Sequence, residues 1–179
     1  MDLRDIIAQV RQHDIDHVVL TGGEPMLFEP IEELAANLME LGHTITIETA
    51  GTVYRDIKCD LMSISPKLEN STPPEDSGWR ERHEVTRRDR QPLAQLLENY
   101  HCQLKFVVNP DAPGDIEEIE SLLSNLPAIE PSRILLMAEG IDSETLHRRM
   151  KELVPICMAR NWRLTPRMHV DLFGNTKGT

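Results

Sequence analysis

The sequence predicts an α/β fold, an open, partial (β/α) barrel of mainly parallel strands. Three observations predict it. Short β-branched or apolar runs alternate with amphipathic helical patterns along most of the chain. The chain opens on a helical pattern rather than a strand, so one strand–helix unit of a barrel is expected to be missing in front of it. Each strand run also ends in glycine, hydroxyl or charged residues, at the end of a parallel barrel where ligands bind.

The elements follow in order. Residues 2–13 read as a helix, with Leu3, Ile6, Ile7 and Val10 on one face. HVVLT at 17–21 reads as a buried strand followed by a Gly-Gly turn. A second helix covers 30–41, with Pro30 near its first turn and Gly42 after its last. HTITIETAG at 43–51 and CDLMSIS at 59–65 read as strands. The next elements are a helix at 91–100, a strand at 103–109, a helix at 115–126 and a strand at 133–140. Residues 143–161 form a helix with a proline inside it, and WRLTPRMHVDLFG at 162–174 reads as a final extended segment. The whole, 1–179, is read as a single domain with a C-terminal tail at 167–179.

One stretch breaks the alternation. A polar insertion at about 69–90 contains Pro73-Pro74 and five arginines between Arg80 and Arg90. It reads as a solvated loop running into a charged helix start. A lid with a basic face over an anionic substrate is the alternative.

Composition narrows the function. The 179 residues suffice for one domain with a sizeable core. A formal net charge of −11 repels phosphate backbones and argues against general nucleic-acid binding. No apolar run has the length to cross a membrane, and the charged N-terminus is not a signal peptide, so the expected location is cytoplasmic. Cys59, Cys102 and Cys157 are far apart and form no CxxC or CxxxCxxC spacing. They read as reduced thiols in or near the core, and no metal ligands are assigned in this chain.

The strand ends carry the candidate chemistry. Thr21-Gly22-Gly23-Glu24-Pro25 follows the first strand, allowing a sharp turn and placing a carboxylate suited to an ammonium group. Glu48-Thr49-Ala50-Gly51 follows the second, and Ser63, Ser65, Pro66 and Lys67 the third. Lys105 lies inside the fourth strand, and Met137, Glu139 and Gly140 end the fifth. Singly, each has a plain structural reading as a turn, a cap or a rim charge. Together they are expected to converge, with Gly23, Glu24, Ser65, Lys67 and Glu139 around one cleft.

TGGEPML at 21–27, ETAGT at 48–52, SISPKLENSTP at 63–73, LKFVV at 104–108, LLMAEG at 135–140 and RMHVDLFGNTKGT at 167–179 are the most specific strings. In this order they resemble the 7-carboxy-7-deazaguanine synthase family of the radical S-adenosylmethionine (SAM) superfamily, over the length of the chain. The resemblance implies a partial barrel of the radical SAM type. It implies a carbon–nitrogen lyase of queuosine and 7-deazapurine biosynthesis, which converts 6-carboxy-5,6,7,8-tetrahydropterin to 7-carboxy-7-deazaguanine. It places Gly22, Gly23, Glu24, Thr49, Ser65, Pro66, Lys67 and Leu136, Met137, Ala138, Glu139 at SAM. It places Thr21, His169 and the C-terminal Thr179 at the pterin substrate, and it assigns no catalytic side chain. The family has a proline where this chain has Met137-Ala138.

The family's cofactors are SAM, a [4Fe–4S] cluster and Mg²⁺, and its cluster cysteines have no counterpart here. The chain alone is therefore expected to be inactive. An external electron donor such as flavodoxin and a homodimer are the implied partners. Two other readings stand beside this one. One is another radical SAM enzyme, such as a glycyl-radical-enzyme activase. The other is a non-catalytic barrel remnant that acts as a binding or scaffold protein.

Overall fold

The computed structural model describes residues 2–112 and 114–176. Six strands form one open, all-parallel sheet in the order β1-β2-β3-β4-β5-β6. They are β1 (His17–Leu20), β2 (Thr44–Thr49), β3 (Leu61–Ile64), β4 (Cys102–Val108), β5 (Ile134–Ala138) and β6 (Arg163–Thr165). The helices are α1 (Leu3–Val10), α2 (Ile31–Glu40), α3 (Arg80–Arg88), α4 (Gln91–Asn99), α5 (Asp115–Leu123), α6 (Ser143–Arg160) and α7 (Met168–Phe173). Sequential parallel strands joined by crossovers are what the alternating pattern dictates.

The chain packs as two compact units, Met1–Ile64 with Gln91–Gln103, and Ser65–Arg90 with Leu104–Thr179. In the first, α2 buries Ile31, Leu34, Ala35 and Leu38, the spacing of one helical face. Ile45 and Ile47 of β2, Met62 and Ile64 of β3 and Leu96 of α4 are fully buried. Each such side chain contributes roughly 1.5–3 kcal/mol of burial. The Tyr100 hydroxyl, just past α4, donates to the Arg55 carbonyl and accepts from the Ile57 amide, both at 2.8 Å, and so ties down the strand connection before β3.

In the second unit, β4 alternates strictly, with Leu104, Phe106 and Val108 buried and Lys105 and Val107 on the less buried face. β5 pairs with β4 from Leu104–Ile134 to Val108–Ala138, and with β6 on its other side. Ile119 of α5 and Leu146, Leu153 and Cys157 of α6 are buried. Pro155 is accommodated inside α6.

Two segments differ from the sequence reading. The stretch 162–174 is not extended throughout, because β6 stops at Thr165 and residues 168–173 turn into α7. Pro166 has no amide to donate and ends the ladder. The helix is six residues long, too short for its period to be legible. His169 is consequently an exposed helix residue rather than a strand histidine. The polar insertion holds two 3-10 turns and α3 rather than only a loop and a helix start. Glu84 anchors it, accepting from Thr72 Oγ1 at 2.6 Å and from Arg87 through both Nε (2.6 Å) and Nη2 (2.8 Å). Arg87 also donates to Glu118 of α5 at 2.8 Å. Among the described residues no helix is long and apolar enough to cross a membrane.

Candidate functional site

In the first unit, β1 delivers the chain into Thr21, Gly22 and Gly23, all exposed. A Cβ at Gly22 or Gly23 would meet no protein atom within 4 Å, so the turn presents bare backbone to open space. Glu24 then folds back. Its Oε1 accepts from the Met26 amide at 3.1 Å, capping the 3-10 turn Pro25–Leu27, and from Thr49 Oγ1 at 2.7 Å. Its Oε2 accepts from the Ala50 amide at 2.9 Å. The Thr49 hydroxyl accepts in turn from the Gly51 amide at 2.9 Å. Glu24 thus latches the exit of β1 to the exit of β2. Thr49 is only 4% exposed and belongs to the latch.

In the second unit a cavity of about 180 Å³ brings together Ser65, Pro66, Lys67 and Glu139, with Leu68, Asn70, Ser71 and Val107 completing its wall. Asn70 fixes the loop that carries the first of these. Its amide nitrogen donates to the Val107 carbonyl at 3.1 Å and to Asp115 Oδ2 at 2.7 Å, and the Asn109 amide reaches the same oxygen at 2.8 Å. The Ser71 hydroxyl closes the turn onto the Leu68 carbonyl at 2.6 Å. The opposite wall is the exit of β5, where the Glu139 amide donates to the Val108 carbonyl at 2.8 Å and continues the ladder by one residue.

The predicted site residues fall into distinct places. Leu136 and Ala138 are core residues, Met137 is half-buried, and the Glu139 side chain is 46% exposed at the cavity. Thr21 is exposed at the β1 exit, and Thr179 lies outside the described residues. Asn70 and Ser71 were inside the SPKLENSTP string but were not singled out. Val107 follows only from strand alternation, and Arg149, whose Nη1 lies 3.5 Å from the Glu139 carboxylate, carried no sequence signal beyond a charged helix face.

The fold and these residues have relatives. No protein-family profile matches the chain. It is similar to the 7-carboxy-7-deazaguanine synthase of Halobacterium salinarum, 42% identical over 191 residues that span 100% of this chain and 74% of that protein. The chain belongs to the 7-carboxy-7-deazaguanine synthase family. The synthase of Rhodopirellula baltica is 36% identical over 180 residues, 99% of this chain and 69% of that protein. The crystal structure of QueE from Escherichia coli superposes with a TM-score of 0.62 at 26% identity, covering 93% of this chain and 64% of that one.

Membership in this radical SAM family implies SAM, an iron–sulfur cluster and Mg²⁺. The residues present fit the first. A cavity in the second unit lined by hydroxyls, a cation and a carboxylate suits a ligand with amino, carboxylate and nucleoside parts. They do not fit the cluster. Cys102 and Cys157 are buried, their thiols directed at the Leu96 and Arg163 carbonyls. Burial, reinforced by Asp60, pushes the Cys59 thiol up to about 11, away from the thiolate that ligates iron. Among the described residues no group of three or more His, Cys, Asp or Glu is placed to hold a metal ion.

Proposed function

We propose that this chain is the SAM-binding part of a radical SAM carbon–nitrogen lyase that converts 6-carboxy-5,6,7,8-tetrahydropterin to 7-carboxy-7-deazaguanine. The observation that carries the reading is the cavity at the exits of β4 and β5, whose lining combines Ser65, Lys67 and Glu139. A ligand with charges of one sign would be poorly served there. SAM offers a carboxylate for a lysine or hydroxyl, and sugar hydroxyls and an amino group for a carboxylate. In the first unit Gly22 and Gly23 offer open backbone to a ligand, with Glu24 holding that turn in place. In the second unit Ser65, Pro66, Lys67 and Glu139 hold the nucleoside ligand, whereas Leu136 and Ala138 support that wall from the core.

Bound SAM, given one electron from an iron–sulfur cluster that these residues do not hold, would supply the hydrogen-atom abstraction from the pterin. The chain's own part is to bind, orient and exclude water. Leu68 and Val107 provide apolar wall, and Asn70 keeps the loop closed against β4.

Calorimetric titration of the chain with S-adenosylhomocysteine, and then with 6-carboxytetrahydropterin, tests the proposal. Saturable binding of both is expected, with Lys67→Ala weakening the nucleoside ligand about tenfold, the scale of one charged hydrogen bond. Absence of S-adenosylhomocysteine binding, or affinity unchanged by both Lys67→Ala and Gly23→Val, overturns it.

A further inference from the structure

We propose that Arg149 is a positioning residue that aims the Glu139 carboxylate into the cavity and thereby sets the affinity for the nucleoside ligand. The proposal rests on the SAM reading of that cavity. Arg149 stands in the second turn of α6, its side chain only 15% exposed, and it does not line the cavity. Its Nη1 donates to the Glu139 carbonyl at 2.6 Å and lies 3.5 Å from the Glu139 carboxylate. Its Nε donates to Asp111 Oδ2 at 2.9 Å. Asp111 is itself gripped by both terminal nitrogens of Arg148, at 2.7 and 2.6 Å. A planar guanidinium held at two edges has its direction fixed, which a lysine would not achieve.

The rest of the β5 exit is held just as firmly. The Glu139 amide is committed to the Val108 carbonyl. Arg167 Nη1 donates to the Gly140 carbonyl at 2.8 Å. Gly140 presses on α6 so closely that a Cβ there would lie 2.9 Å from Leu146 Cδ2. Both backbone groups of Glu139 are therefore engaged within the protein, and its 46% exposed side chain is the part that can still meet a ligand. At 3.5 Å, Arg149 holds that carboxylate by charge while its oxygens keep acceptor capacity for the donors of a nucleoside.

A purely structural Arg149, stapling α6 to the loop after β4, would be separable by a double-mutant cycle on the full chain, read by S-adenosylhomocysteine calorimetry. Glu139→Gln and Arg149→Ala are each expected to weaken binding about tenfold, and the double variant no more than either alone, because both act through one carboxylate. Wild-type affinity in Arg149→Ala, or losses that multiply to about a hundredfold in the double variant, overturns the proposal while leaving the ligand reading intact. Should Arg149→Ala fail to fold by thermal melting, Arg149→Lys takes its place in the cycle. It keeps the charge and the stem but cannot hold Asp111 and the Glu139 carbonyl together. An unliganded wild-type chain overturns the ligand reading itself, and the proposal falls with it.

Discussion

The Thr49 hydroxyl donates to the Glu24 carboxylate across 2.7 Å and joins two strand exits that are 25 residues apart in sequence. The Ala50 amide binds the other carboxylate oxygen at 2.9 Å. The acidic residue of the GGEP string is thus a structural latch. Its loss leaves three donors without an acceptor. Glu24→Ala should cost about 2–4 kcal/mol in chemical denaturation, and Thr49→Val, which keeps the shape, about 1–2 kcal/mol. Equal stability of Glu24→Ala and the parent chain would contradict the latch.

The glycines at the strand exits should behave oppositely. Gly51 has φ +75°, and a Cβ there would lie 2.6 Å from Ile64 Cγ2 and 3.3 Å from Leu93 Cδ1. Gly51→Ala combines left-handed backbone strain with overpacking and should lose about 2–4 kcal/mol. Gly23 meets no protein atom within 4 Å, so Gly23→Ala should change stability by less than about 0.5 kcal/mol while weakening S-adenosylhomocysteine. Thermal melts and calorimetry of the two variants check the contrast.

Acid should loosen the polar insertion. Arg87, then Thr72, hydrogen-bond Glu84 and hold its carboxyl at about 2, below its ordinary 4.5. A carboxylate depressed in the folded state adds stability above its unfolded value, and that contribution is lost as pH falls from about 4.5 through about 2. Arg148 and Arg149 depress Asp111 in the same direction, so the loop after β4 shares this sign. Amide exchange in residues 72–88, followed downward through that window, should rise. Glu84→Gln should flatten the response, and an unchanged profile in that variant would refute the assignment.

Asn70→Ala should open the cavity loop. It removes the donor shared by the Val107 carbonyl and Asp115 Oδ2. A stability loss of about 1–2 kcal/mol is expected, with weaker nucleoside binding, because Asp115 at 8% exposure loses one of its two partners. Retained affinity at reduced stability would show that the loop does not shape the site.

Much of this protein was legible in its linear order. Five of the six strands fall inside the runs read for them, and β4 starts one residue earlier, at Cys102, because β-branched alternation and helical periodicity are local properties of the chain. The insertion and the C-terminal segment were less legible. α3 is held by a hydrogen bond from Thr72 and an ion pair with Glu118, which no period records, and α7 is a single short helix after a proline.

By itself the sequence determined the α/β class, the order of the elements, the GGEP and SPKLENSTP strings and, through them, the family. Only the tertiary structure decided that Glu24 latches two strand exits, that Asn70 closes the cavity loop and that Arg149 stands behind Glu139. The physical reason is range. Periodicity and turn chemistry act over a few residues, whereas hydrogen bonds between residues tens of positions apart depend on strand register and helix docking, which exist only once the chain is folded.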